Sequence, residues 1–204
     1  MCGGCADPHA EDKAAIRGAL EQLDRANEAC NGEMAVEVMC RRSLDEYTRL
    51  VRIALDGKEP DVRSLPPNEL EQVIQMRNRL TRAELAPMDG RAYQTYFTGQ
   101  CWYSSDFMGS ESSWRDSIGT IKVFGESASA DLLDERGRPS GYTMEFFFED
   151  GRWKVNEFSS HQLHTVQSHE YADEIGASIE EILIAEEEAL MGREIKRGIW
   201  EPMR

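Results

Sequence analysis

Three of the four histidines, His161, His164 and His169, fall within nine residues of one another. Histidines three apart share one face of a helix, and their imidazoles could then serve zinc or another divalent ion. A zinc-binding helix more often spaces its histidines four apart, with a Glu between them. His161-Gln162-Leu163-His164 lacks that Glu, so the same residues equally suit a polar linker. A second group is Cys2-Gly3-Gly4-Cys5, with His9 behind it. A Cys-x-x-Cys pair can be redox-active or form half of a zinc site. Here no second cysteine pair and no strand–helix–strand pattern accompanies it, which favours an unstructured end. Neither group commits the chain to a metal, and no cofactor is expected.

The elements that must position such groups change character near residue 102. Before it, helical spacing dominates. After a lead-in over 1–10, a helix begins near Asp7-Pro8 and carries Ile16, Ala19, Leu20, Leu23 and Ala26 on one face. Asn31-Gly32 interrupts, and a second helical run continues through Met34, Val38 and Met39. Ser43 and Glu46 have the capping-box order and open a helix that stops at Asp56-Gly57. Lys58 to Pro67 is expected to be a loop. Asn68 is expected to cap a helix with Leu70, Val73, Ile74, Arg77 and Leu80 on one stripe, ending at Ala86-Pro87. Arg91 to Gln100 fits a helix, although Tyr93, Tyr96 and Phe97 would also fit a strand.

Beyond residue 102 the period falls to two. Ile118–Phe124, Ser127–Leu133, Tyr142–Glu149 and Arg152–Ser159 are expected strands, with a turn over Asp134–Gly141 and an Asp150-Gly151 hairpin. Short connections make them an antiparallel meander. Helical spacing returns after His161, with Ile175, Ile179, Ile182, Leu183, Leu190 and Ile195 on an acidic background. From Glu170 onward ten acids face four bases. Such a stripe wants burial against its own domain, a second copy or a partner, with Trp200 and Pro202 as an anchor.

The sequence Phe146-Phe147-Phe148-Glu149-Asp150-Gly151-Arg152-Trp153-Lys154-Val155-Asn156-Glu157-Phe158, preceded by helices and an earlier hairpin, resembles the closing strand pair of NTF2-like (SnoaL-like) domains. The resemblance covers residues 11–160. It implies an α+β fold in which N-terminal helices pack on a curled, cone-like antiparallel sheet, here followed by a C-terminal helix. The helical region is longer than is usual in that family, and the acidic tail over 161–204 is an addition. Tyr142, Met144, Phe146 and Phe148 share one strand face and are the expected pocket wall. Enzymes of similar fold set a carboxylate beside a Tyr or a second acid inside the cone. Asp106, Asp116, Tyr103, Tyr142 and His161 are the groups to test for that role. None lies in a catalytic motif of the family, so a non-catalytic module for ligand binding or protein assembly is expected. An isomerase, cyclase or dehydratase is the alternative.

Charge narrows the partners. The net charge of −15 repels nucleic acid over most of the surface. No stretch approaches the length of a membrane span. A homodimer or protein partner through the sheet face or the C-terminal helix is expected, with a small hydrophobic ligand. The five cysteines are odd in number and widely spaced. That argues for free thiols and a reducing cytoplasm. A lipid anchor on Cys5 is the alternative if the native start lies upstream, because Gly3-Gly4-Cys5 is similar to the end of a lipoprotein cleavage site.

Overall fold

The computed structural model describes residues 7–102, 118–134 and 136–204, with backbone alone at 160–164 and 167. In chain order the helices are α1 (Ala10–Glu28), α2 (Gly32–Val38), α3 (Arg41–Asp56), α4 (Glu59–Arg63), α5 (Pro67–Arg79), α6 (Arg82–Leu85) and α7 (Gly90–Gly99). Four strands follow, β1 (Ile118–Phe124), β2 (Ser127–Leu133), β3 (Pro139–Glu149) and β4 (Arg152–Asn156). A 3-10 turn over Glu157–Ser160 leads into α8 (His161–Ile175) and α9 (Ile179–Met191). The architecture is α+β, with helices packed against an open antiparallel sheet and helical structure at the C-terminal end. The chain forms two compact units, one of Met1–Leu44 with Gln94–Ser160 and one of Asp45–Tyr93 with His161–Arg204.

In the sheet-bearing unit the strand order is β1-β2-β3-β4. Val123, Ala128, Phe146 and Val155 lie opposite one another across the four strands, so one row of side chains builds the apolar face. Ala130, Leu132 and Met144 extend it, and α1 covers it through Ile16, Leu20 and Leu23. Full burial of one such side chain contributes about 1.5–3 kcal/mol. The free edge of β4 is protected. Met39 bridges Val155 in parallel, and Cys40 N donates to Val155 O, which removes an edge that could pair with another chain. The β3–β4 hairpin has Asp150 at φ 54° and Gly151 at φ 78°. Both central residues are left-handed, as the expected Asp-Gly turn requires.

Several local expectations are corrected. The helix assigned to a Ser43 cap begins at Arg41, and the Ser43 hydroxyl instead donates to Asn156 Oδ1 and accepts from Glu157 N. A long-range polar pair has outcompeted the local cap. Pro66, not Asn68, precedes the first residue of α5, because Pro67 suits the first helical position. The predicted loop contains α4, started by Asp61 accepting from Lys58 N. The helix expected to reach Ala86 breaks at Leu80 and restarts as α6 with Thr81 and Glu84 as capping box. β3 starts at Pro139 and β4 stops at Asn156. The tail is two helices divided at Gly176, with Ser178 and Glu181 capping the second.

Gly32 shows what a sequence pattern alone reads as mere punctuation. A Cβ there would sit 1.9 Å from the Thr95 carbonyl oxygen. The start of α2 therefore lies against α7 so closely that only glycine fits.

Cys30 and Cys101 form a disulfide with a Cα–Cα distance of 5.0 Å. The expectation of free thiols fails for this pair. Spacing could not reveal it, since the fold joins cysteines 71 residues apart. Cys40 is free and buried, and burial pushes its thiol pKa up. It behaves as a small apolar side chain.

Candidate functional site

The helix α7 carries the polar groups that are hardest to explain as structure alone. Gln94 is 0% exposed and Thr98 1% exposed. They stand one turn apart, so both project from one face of the helix. Among the described residues neither the amide nitrogen nor the amide oxygen of Gln94 has a hydrogen-bond partner, and the Thr98 hydroxyl has none either. Leaving a buried polar group unpaired costs about 1–3 kcal/mol. Several together are comparable with the roughly 5–15 kcal/mol that holds a domain folded. Phe97, between the two residues in sequence, meets Trp102 edge-on at 5.7 Å.

Asn27 on α1 adds a third member in the same unit, with its Oδ1 buried and unpartnered. The disulfide joins Cys30, three residues after Asn27, to Cys101, three residues after Thr98. Both half-cystines have positive φ, 50° for Cys30 and 54° for Cys101. Each ends a helix in the left-handed conformation usually given to glycine.

The second unit buries several charged groups and partners them, while its neutral Asn68 Oδ1 and Gln75 Oε1 have no partner among the described residues. Arg77, 4% exposed, donates from Nε to Ala54 O, from Nη1 to Ile199 O and from Nη2 to Ile53 O and Gly57 O. It thereby satisfies the last carbonyls of α3, where a cation also complements the helix dipole. Arg79 and Glu187 form a buried ion pair at 2.5 Å, and Asn78 Nδ2 donates to the same carboxylate. Glu71 and Glu186 lie near this pair. Burial pushes the Glu71 carboxyl up to about 7; Arg79 opposes the shift, Glu187 reinforces it, and a hydrogen bond from Gln75 opposes it. Burial, then the Glu71 charge, raises Glu186 to about 7. Burial likewise pushes the Tyr93 hydroxyl up, and it donates to Gln72 Oε1.

No family model, no curated protein and no solved structure matches this chain. The functional reading therefore rests on the molecule's own chemistry.

The residues singled out in the sequence are distributed as follows. Asp106, Asp116 and Tyr103 lie outside the described residues, as do Cys2 and Cys5. Tyr142 is half-buried, Met144 and Phe146 are buried, and Phe148 is exposed against the edge of Trp153. His161 and His164 belong to the first turn of α8 by backbone, and His169 is exposed on the same helix. Among the described residues no group of three or more His, Cys, Asp or Glu is placed to hold a metal. His9 Nδ1 contacts Asp12, which also accepts from Trp153 Nε1. Gln94, Thr98 and the Glu71–Glu186 pair went unnoticed in the sequence. Gln94 and Thr98 had one available signal, a polar i, i+4 pair on the buried side of a helix rich in aromatics.

The tail closes on its own unit. Met203 N donates to Leu55 O, Arg82 Nη1 donates to Met203 O, and Lys196 Nζ donates to Arg77 O and Leu80 O. The Arg63 guanidinium lies 4.0 Å from the Trp200 ring centroid. Trp200 is thus an anchor within the chain. No helix of the described residues is long and apolar enough to cross a membrane.

Proposed function

We propose that this chain is a non-catalytic, NTF2-like ligand-binding module whose site lies in the sheet-bearing unit. The observation that carries this reading is Gln94, wholly buried with both ends of its amide unpartnered among the described residues. Its neutrality favours binding over acid–base catalysis, because neither an amide nor an aliphatic hydroxyl ionises in the ordinary pH range. The helix-then-meander order and the Phe146–Phe158 pattern support the family resemblance.

Native mass spectrometry of freshly purified protein tests this reading. A retained organic mass that Gln94→Leu releases is the expected result. A protein that retains nothing and takes up nothing from a cell extract would sink it.

A different, acid–base reading has one support, which lies in the helical unit and not in the cone of the isomerase, cyclase or dehydratase alternative: Glu71, a carboxyl pushed up to about 7 by burial, where a general base is most effective. Loss of turnover in Glu71→Gln would establish that reading in place of the first. Self-association belongs to the proposal as a homodimer through the outer sheet face, where Phe124 is 64% exposed. Light scattering of Phe124→Asp, expected to be monomeric, tests it. The Cys30–Cys101 bond supports an oxidising compartment rather than a reducing cytoplasm.

A further inference from the structure

We propose that the Cys30–Cys101 disulfide is a redox latch on α7. Closed, it holds residues 94–101 against the end of α1 with their polar groups out of water. Reduction by a dithiol lets that segment detach, unwind and hydrate. No ligand takes part, so the latch does not rest on the ligand-binding reading. The bond joins the residues just past α1 and α7 at a Cα–Cα distance of 5.0 Å. What it holds closed is opposed from within. Among the described residues Gln94 is unpartnered at both ends of its amide, and so are the Thr98 hydroxyl and Asn27 Oδ1. Each gains a hydrogen bond to water on opening. Cys30 and Cys101 have left-handed backbone, at φ 50° and 54°, a conformation that disfavours residues other than glycine. Closure is favoured by Phe97, 2% exposed, with the Trp102 ring edge-on at 5.7 Å. A helix of 10 residues is marginal by itself in water, so α7 unwinds once detached.

The chemistry is thiol–disulfide exchange. Cys101 is exposed and Cys30 half-buried, so Cys101 Sγ is the sulfur that a reductant meets. A thiolate of the dithiol attacks it, and the bond between the half-cystines breaks. A mixed disulfide forms on Cys101, and Cys30 leaves as a thiolate that takes up a proton. The second thiolate of the reductant then attacks the reductant's own sulfur in the mixed disulfide and releases Cys101 as a thiol. Both electrons come from the dithiol, which ends as a disulfide. Cys40 is buried and out of reach of such a thiol. Opening stabilises the reduced form. The unpartnered groups of α7 therefore also make the bond easier to reduce.

The test is hydrogen exchange of the full-length protein, read by mass spectrometry with and without dithiothreitol. Alkylation of the Cys30 and Cys101 peptides confirms that the bond has opened. Reduction is expected to speed exchange over residues 94–102 by roughly tenfold or more and to leave β2 and β3 unchanged, and reoxidation should reverse it. Gln94→Leu with Thr98→Val removes groups that water would reach. Its rise on reduction should shrink to about threefold, and its equilibrium with dithiothreitol should shift about threefold toward the disulfide, which a passive staple would not show. Should that variant fail to fold, Cys30→Ser with Cys101→Ser decides the matter. Without reductant it should exchange over 94–102 as fast as the reduced wild type, and slow exchange there would overturn the latch. So would exchange over 94–102 that ignores reduction, or a rise spread evenly across the sheet. A Gln94→Leu, Thr98→Val protein that opens and reduces as the wild type does would overturn it as well.

Discussion

Both units partner the charges that they bury, and each leaves some neutral polar atoms without a partner among the described residues. In the helical unit Arg77 donates to four carbonyls and Arg79 faces Glu187, while Asn68 Oδ1 and Gln75 Oε1 are unpartnered. In the sheet-bearing unit Lys154 meets Asp150 and Ser43 meets Asn156, and the difference is Gln94, unpartnered at both ends of its amide. A buried charge must be matched within the fold because its desolvation is too costly to leave open. A neutral amide can be left open at smaller cost, and so can be kept for something that arrives later. The difference teaches where to look for ligand chemistry: at the polar group the fold has declined to satisfy.

The largest expected effect separates covalent from non-covalent support. Removing the disulfide by Cys30→Ser with Cys101→Ser should destabilise the protein by about 4 kcal/mol on loop-entropy grounds. Hydrogen exchange should show the loss concentrated in α1 and α7. Uniform loosening of α5 and α9 would break the comparison.

Arg77→Met comes next. It leaves the carbonyls of Ile53, Ala54, Gly57 and Ile199 without their donor. A loss of about 3 kcal/mol in urea unfolding is expected. A change within ~0.5 kcal/mol would mean that water replaces the guanidinium freely.

The Glu71–Glu186 pair gives a smaller effect with a definite sign. Both carboxyls have raised folded-state values near 7. Their stabilising contribution is present in full below the unfolded value of 4.5 and is lost as pH rises through about 7. Chemical denaturation should therefore show stability falling as pH rises across that window. Glu71→Gln should flatten the slope. An unchanged slope would move its origin to the overall charge of −15.

Smallest, and opposite in sign, is Gln94→Leu. Replacing an unsatisfied amide by an apolar side chain of similar size should stabilise the ligand-free protein by roughly 1 kcal/mol. Destabilisation on thermal melting would show that Gln94 is already satisfied in solution, by water for instance.

Much of the local structure was legible in the sequence. Period-two alternation located all four strands, and Asp150-Gly151 specified the tight hairpin. Helical stripes identified Ile16, Leu20 and Leu23 as the face of α1 that is buried. These signals are local because side-chain period and turn conformation are set within a few bonds. The boundaries failed where a distant residue competed with a local one, as when Asn156 captured the Ser43 hydroxyl.

The sequence by itself determined the α+β order, the sheet's apolar face and the acidic surface, since these follow from spacing and composition. Only the tertiary structure decided that Cys30 meets Cys101, that Arg77 closes α3, and that Gln94 is buried without a partner among the described residues. Each of those facts depends on which chain segments come together in space. Whether a polar group is satisfied is a property of its neighbours, and the sequence lists the groups without saying which neighbours they will have.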